Sequence, residues 1–421
     1  MRHRRWAIAA IGSGLILLIG SVGFRAAAAP ALVRFPLNLD ETATYTGTAT
    51  SYVDQATLLP LAKPNVKPLE ITRHVKVVSG SFQKAVVDET VTVKTGGTTN
   101  VEAYQYVIDR RSMQMVSDPR QIAFGDPKAV MHAAGAYRIN FAMGTNAKGS
   151  YRAFIPEEDA TNNLVLVEGP HAHPDSHISV LDFKSKLNGP VAPYYLAHLK
   201  KMGLPTEVTA AQLAPVLLAD GIDVPKALAD VGPVLKPAET KLVNDTLAKS
   251  VPLHYFFLSD GLVSIEPKTG ALIDVHTQQQ GVAVQPDLSG ASVLQPMLKR
   301  YAAIPSVKAL SDGLTALAKR APQVAESYTY TQTVPSSLHV TSVARDNVRM
   351  MNLVETRIPA AMALLGILLL GFGLIGWRRS RRPGSRPSVP PAPTTPTEPG
   401  PIDVKEPVTV TAAPPRTYEG V

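Results

Sequence analysis

The chain has 421 residues, a formal net charge of +8 and no cysteine. The missing cysteines exclude disulfides, thiolate metal sites, iron–sulfur clusters and cysteine nucleophiles, and a chain this long buries enough core to fold without covalent staples. An apolar share of 45% is that of a globular protein, and its 36 prolines and 29 glycines follow no collagen-like period.

The charge sits at two places. Arg2, Arg4, Arg5 and Arg25 bracket the first apolar run, and Arg378, Arg379, Arg381 and Arg382 follow the second. The segment 26–357 between them is nearly neutral, so the basic balance reflects topology, and nucleic acid is not an expected partner. Trp6–Phe24 and Ile358–Trp377 carry no charge and are long enough to cross a bilayer. Arginines on the outer flank of each run place residues 1–5 and 378–421 in the cytoplasm of a plasma-membrane protein. The whole of 25–357 is then extracytoplasmic. Ala26–Ala29 also offers a signal-peptidase site, but the apolar run exceeds the usual ~7–15 residues of a signal-peptide core, so 6–24 reads as an uncleaved anchor. Ala9-x3-Ser13, Ala10-x3-Gly14 and the glycines of the second run allow close helix approach, and the two spans are expected to pair.

After the first span the pattern is β. Thr42–Val53, Ile71–Val78, Ala85–Lys94 and Val101–Ile108 are β-branched or alternating runs, with Gly96-Gly97 marking a hairpin. Met113–Val116, Tyr137–Ala142, Tyr151–Ile155 and Leu164–Val167 read as further short strands of an antiparallel meander or closed sheet. Residues 206–249 favour short helices cut by Pro215, Pro225, Pro233 and Pro237, a helical insertion. Strand character returns at Leu253–Leu258, Gly261–Glu266 and Ala271–His276, with Pro267 and Gly270 making the turn between the last two. Residues 292–320 read as helix, Ser327–Val334 as a late strand, and Leu338–Arg357 as a stalk helix entering the second span. The expected fold is α+β: a mainly antiparallel β-rich domain with helical insertions, flanked by two transmembrane helices. The Pro-rich tail 378–421 has P-x-x-P spacing and reads as disordered, and it also fits a docking segment for a cytosolic partner.

Leu32–Leu39, Thr42–Val53, Thr72-Arg73, Asp109-Arg110-Arg111, Phe141–Thr145, Ile265–Gly270 and Pro359 at the head of a glycine-rich span form a recognisable set. Over about residues 5–380 the sequence resembles the actinobacterial family labelled porin PorA, departing from it at 160–250. The resemblance implies the same layout of span, large β-rich extracytoplasmic domain, span and basic tail. It supplies no catalytic residues. The word porin implies a channel, yet lipid-spanning barrels need strands with a consistently apolar outer face, and these strands carry Thr, Lys and Glu on more than one face.

Chemistry-bearing motifs are sparse. His171, His173 and His177, with Asp175, form the densest group of ligand-type residues, on a loop marked by Pro170 and Pro174. His-x-His on an extended chain puts both rings on one side, and zinc favours imidazole, so the three histidines are the candidate metal ligands. Ser81-Phe-Gln-Lys84 with Lys268-Thr-Gly270 matches two elements of penicillin-binding enzymes but lacks the third. No cofactor motif is present, and an enzyme is not expected. Glu157-Glu158-Asp159 reads as a solvated loop, and Tyr194-Tyr195 and Phe256-Phe257 as core. Two anchors hold one domain over a bilayer, so the expected activity is non-enzymatic binding or transfer of an apolar envelope lipid, with a channel or an envelope scaffold as alternatives. No pattern sets an oligomeric state.

Overall fold

Alternating Thr, Tyr and Ala residues form the first strand, β1 (Asp40–Val53), in the computed structural model, which describes residues 2–54, Thr57 and 59–381. Ahead of it, α1 (Arg2–Gly23) passes through a π-helical turn at 24–28 into α2 (Ala29–Leu32). Antiparallel pairing then runs from β1 to β2 (Pro60–Gly80), β3 (Lys84–Thr95) and β4 (Thr98–Asp109), with Gly96-Gly97 at the predicted turn. β2 starts eleven residues earlier than predicted. Pro60, Pro64 and Pro68 argue against a strand, but all three share one parity and so direct their ring nitrogens to one side. Residues 60–68 have a strand partner on one side alone, β1, so the missing donors leave that ladder intact.

Next come β5 (Ile122–Ala123), the separate hairpin β6 (Arg152–Ile155) and β7 (Ala160–Asn163), then β8 (Val165–Ala172) and β9 (Ser179–Pro190). Two expected strands are absent: Met113–Val116 and Tyr137–Ala142 make only the isolated bridges Ile108–Met115 and Tyr137–Ala153. Met113 holds φ 64°, which breaks an extended run. α3 (Pro193–Lys201) and β10 (Glu207–Thr209) lead into the predicted helical insertion, α4 (Ala210–Ala219), α5 (Val224–Val231) and α6 (Pro237–Leu247). Thr209 and Gln212 cap α4 reciprocally. Pro225 and Pro237 open helices, while Pro215 is carried inside α4 rather than ending it. The rest comprises β11 (Ser250–Ile265), β12 (Leu272–Pro286), α7 (Gln295–Arg300), α8 (Pro305–Ala318), β13 (Gln323–Gln332), α9 (Val334–Asn352) and α10 (Ile358–Arg381).

The large sheet has the order β5-β4-β3-β2-β1-β13-β12-β11-β9-β8, with β10 added to β11, and every pairing is antiparallel. Val87 and Tyr106 from β3 and β4 share one buried cluster with Phe183 and Ile265 from β9 and β11. Those strands are distant in the sheet order, so the sheet curls on itself, and the irregular segment 112–151 with its hairpin fills the gap between its ends. A second cluster joins α3–α8 to Val53, Tyr255, Val284 and Ala325 at one end of the strands, capping that end. The exposed edges are blunted: β5 has two residues, and β8 carries Pro170 and two register shifts.

The turn between β11 and β12 depends on Gly270. Its φ is 72°, and a Cβ there would lie 2.1 Å from the Phe141 carbonyl oxygen. Gly270→Ala combines left-handed strain with an overlap against backbone, and we expect a stability loss of about 3 kcal/mol, measured by urea unfolding.

Two helices are long and apolar enough to cross a membrane, at Trp6–Ala28 and within Val334–Arg379. The stalk is continuous, α9 passing through a π-helical turn at 353–357 into α10. The chain divides into two compact units. One is Leu15–Ile367, in which Gly20 approaches Met362. The other joins residues 2–14 with residues 368–381. There the two helices pair as expected: the predicted small residue Gly14 is buried on α1, and a Cβ on Gly373 would lie 2.6 Å from Ile11 and 3.0 Å from the Ala7 carbonyl. The Pro-rich tail from 382 lies outside the described residues.

Candidate functional site

The concave face of the curled sheet encloses a cavity of about 520 Å³, within the ~300–1,000 Å³ of small-molecule sites. Strands present alternate residues to one face, and the cavity takes that face of nearly the whole sheet: Ile71, Val93, Phe257, Leu262, Val275 and Tyr328 line it from β2, β3, β11, β12 and β13. It is elongated. On β1 its wall runs from Tyr45 to Val53, roughly 26 Å at ~3.3 Å per residue. Leu199, Met202 and Leu204 line the capped end. At the other end, Tyr45, Arg73 and Leu272 also belong to the wall of a second cavity of about 110 Å³. Phe35, Leu39, Val340 and Ala344 line this smaller space. It therefore lies between the chain leaving the first apolar helix and the helix that leads into the second.

One part of the apolar wall is strongly polar. Glu89 on β3 is fully buried and ion-paired on both oxygens, to Arg73 Nε through Oε1 and to Arg138 Nε through Oε2 at 3.1 Å. Tyr106 donates to Oε2 at 2.9 Å. Register explains the meeting. Arg73 lies opposite Val91, which makes Glu89 its diagonal neighbour, and Glu89 in turn lies opposite Tyr104, diagonal to Tyr106. Burial alone raises the Glu89 carboxyl, but the charges of Arg138 and Arg73 outweigh it and hold the pKa at about 2.

Two more acids border this group. Glu102 lies opposite Val91 in the cavity wall and accepts from the Tyr104 hydroxyl at 2.9 Å. Its exposed surface is cavity surface, so burial, followed by the charge of Glu157, pushes its pKa up to about 7. Glu157 is buried and lines the same wall, and burial raises it against the pull of Arg138. The triplet 157–159 is thus not the solvated loop expected. The backbone bond from Ala192 N to Glu157 O, at 2.8 Å, ties it to the start of α3, and Asp159 pairs with the exposed His132. The raised pKa of Glu102 carries a sign. The folded protein favours the protonated form, so the stability it contributes is complete below pH 4.5 and lost as pH rises through 7. Glu102→Gln should therefore gain about 3 kcal/mol over the native protein at pH 8 and nothing at pH 4, read from unfolding midpoints across pH.

A family model described as Porin PorA matches residues 6–375. The chain belongs to the porin PorA family. No curated protein matches it. Membership, with the two long apolar helices, makes it a membrane protein in contact with a bilayer. The cavity and its charged group lie inside the stretch that defines this porin PorA member.

The predicted histidine triad is not assembled. His171 lies in β8 rather than in a loop, with Nε2 3.6 Å from Asp182. His173 is buried, and its Nε2 is 3.6 Å from Asp274 while Nδ1 meets the Ser176 hydroxyl at 3.1 Å. His177 is exposed at φ 54°. His171 and His173 stay in register with β9 and meet two acids of one cross-strand row, Asp182 and Asp274, both opposite Ser264, while His177 sits exposed on the turn at 173–178. Among the described residues, the ligand-type side chains that meet within 4.8 Å are Glu168, His171 and Asp182. Ser81 accepts backbone hydrogen bonds from Gln83 and Lys84 in an ordinary turn, and Lys268 pairs with Glu355 at 3.2 Å. Tyr195 and Phe257 are buried as expected, ring edge to face at 6.2 Å, and both line the cavity.

Proposed function

We propose that this member of the porin PorA family is a two-span protein of the plasma membrane, with an uncleaved first span and both termini in the cytoplasm. Its extracytoplasmic domain binds or transfers an apolar envelope lipid without chemical turnover. The elongated, largely apolar cavity carries this reading, because its base adjoins a smaller cavity beside the two chain segments that enter the apolar helices. A site so placed takes a ligand from the bilayer side and shields its chain along the sheet. The test is native mass spectrometry of the full chain in amphipol, followed by organic extraction. A lipid in stoichiometric amount is expected, and a clean unliganded mass after mild extraction would remove the reading.

A channel is the second reading, favoured by the family's name. Against a sheet that itself spans lipid stand Lys63, Lys67, Glu70, Lys76 and Lys94, exposed along β2 and β3. Conductance steps from the purified full chain in a planar bilayer, blocked by substitutions in the cavity wall, would establish this second reading instead.

A further inference from the structure

The charged part of the cavity wall gives the ligand a headgroup. Arg73 and Arg138 bring two positive charges to one carboxylate, Glu89, and each uses its Nε for that pairing. Arg73 also donates from Nη2 to the Arg138 carbonyl at 3.4 Å and interacts with the Tyr45 hydroxyl. Among the described residues the terminal nitrogens of Arg138 make no hydrogen bond, and this side chain, 23% exposed, lines the cavity. Its forked donors are thus left without a protein acceptor and are open to a ligand or solvent. It is also shaped for two-point recognition of a carboxylate or phosphate. Glu157 stands in the same wall, near enough to feel the Arg138 charge, and is the internal acid that a ligand would displace from its influence.

We propose that the cavity selects amphiphiles with an anionic oxyacid headgroup, a carboxylate or phosphate monoester seated on the terminal nitrogens of Arg138, with the acyl chain lying along the apolar strands toward α3. The proposal rests on the lipid-binding reading above and adds the charge of the ligand to it. Arg138 is the reading residue, since Arg73 is committed more fully to the protein. Glu157 tunes the site by competing for the same cation.

The experiment uses the full chain in zwitterionic nanodiscs and two photoreactive probes, a diazirine-bearing fatty acid and its methyl ester, with labelled peptides mapped by mass spectrometry. The acid is expected to label cavity strands at least ~10-fold more than the ester, equivalent to about 1.4 kcal/mol. Arg138→Gln should abolish that preference. Because Arg138→Gln risks the fold, Glu157→Gln supplies an independent arm and should strengthen acid labelling. Equal labelling by acid and ester, or no change in Glu157→Gln, overturns the headgroup proposal while the lipid reading stands. Cavity peptides labelled by neither probe overturn both. Loss of acid labelling to inorganic phosphate alone, with the ester unaffected, would identify a free anion as the ligand and overturn the amphiphile.

Discussion

Glu89→Gln should be the most damaging conservative substitution in the β-rich domain, lowering stability by about 3–5 kcal/mol. The carboxylate is fully buried and neutralises Arg73 and Arg138 together. Its amide keeps the shape and removes the charge, leaving two cations facing each other in a medium that screens poorly. Urea unfolding of the full chain in detergent measures the loss, with exposed Glu70→Gln as a control that should shift by less than ~0.5 kcal/mol. The same group sets an acid limit. Its folded pKa of about 2 lies below the ordinary value of 4.5, so its stabilisation is present above pH 4.5 and lost as pH falls toward 2. That window corresponds to about 3 kcal/mol in the native protein and should vanish in Glu89→Gln. Arg73→Met, Glu89→Leu and Arg138→Met together replace the charged group with apolar volume. The triple variant should recover most of the stability and lose the preference for anionic ligands. A Glu89→Gln protein as stable as the native one would mean that the two arginines are not confined as the structure has them.

This charged group was present in the sequence as a break in parity. On β2 the inward positions are Leu69, Ile71, Arg73, Val75 and Val77, and on β3 they are Ala85, Val87, Glu89, Val91 and Val93. One charge interrupts each otherwise apolar series, and a lone charge on a buried face demands a partner. Strand runs and hairpin turns are visible from residue type alone, which is why β1, β3, β4 and the turns at Gly96-Gly97 and Gly270 are legible. The curl of the sheet is not, because it depends on contacts between strands far apart in the chain, such as Val87 with the cluster holding Phe183 and Ile265. The cavity, the third member Arg138 and the inward turn of Glu157 all follow from that curl. The histidines are legible only in part for a related reason: their spacing is local, but the acids they meet, Asp182 on β9 and Asp274 on β12, are brought beside them by pairing of strands far apart in the chain.

Val93→Trp should block the cavity without harming the fold. Val93 lies in the middle of the sheet, opposite Ile71 on one side and Asn100 on the other, so both ladders hold its backbone in place. Its side chain is only half-buried, because one flank faces the open cavity rather than packed neighbours. An indole added there grows into empty space, which separates this site from a close-packed core position, where overpacking costs ~1–3 kcal/mol. Stability is expected to change by less than about 1 kcal/mol. Co-purifying lipid should fall at least ~10-fold, read by extraction and quantitation against the native chain. The two readouts separate the causes of failure. Loss of both stability and lipid would mean that the wall at Val93 is packed, and the variant Thr277→Phe, on β12 across the sheet, would then carry the test. Full lipid content in two stable blocked variants would place the ligand outside the curled sheet and remove the cavity from the function.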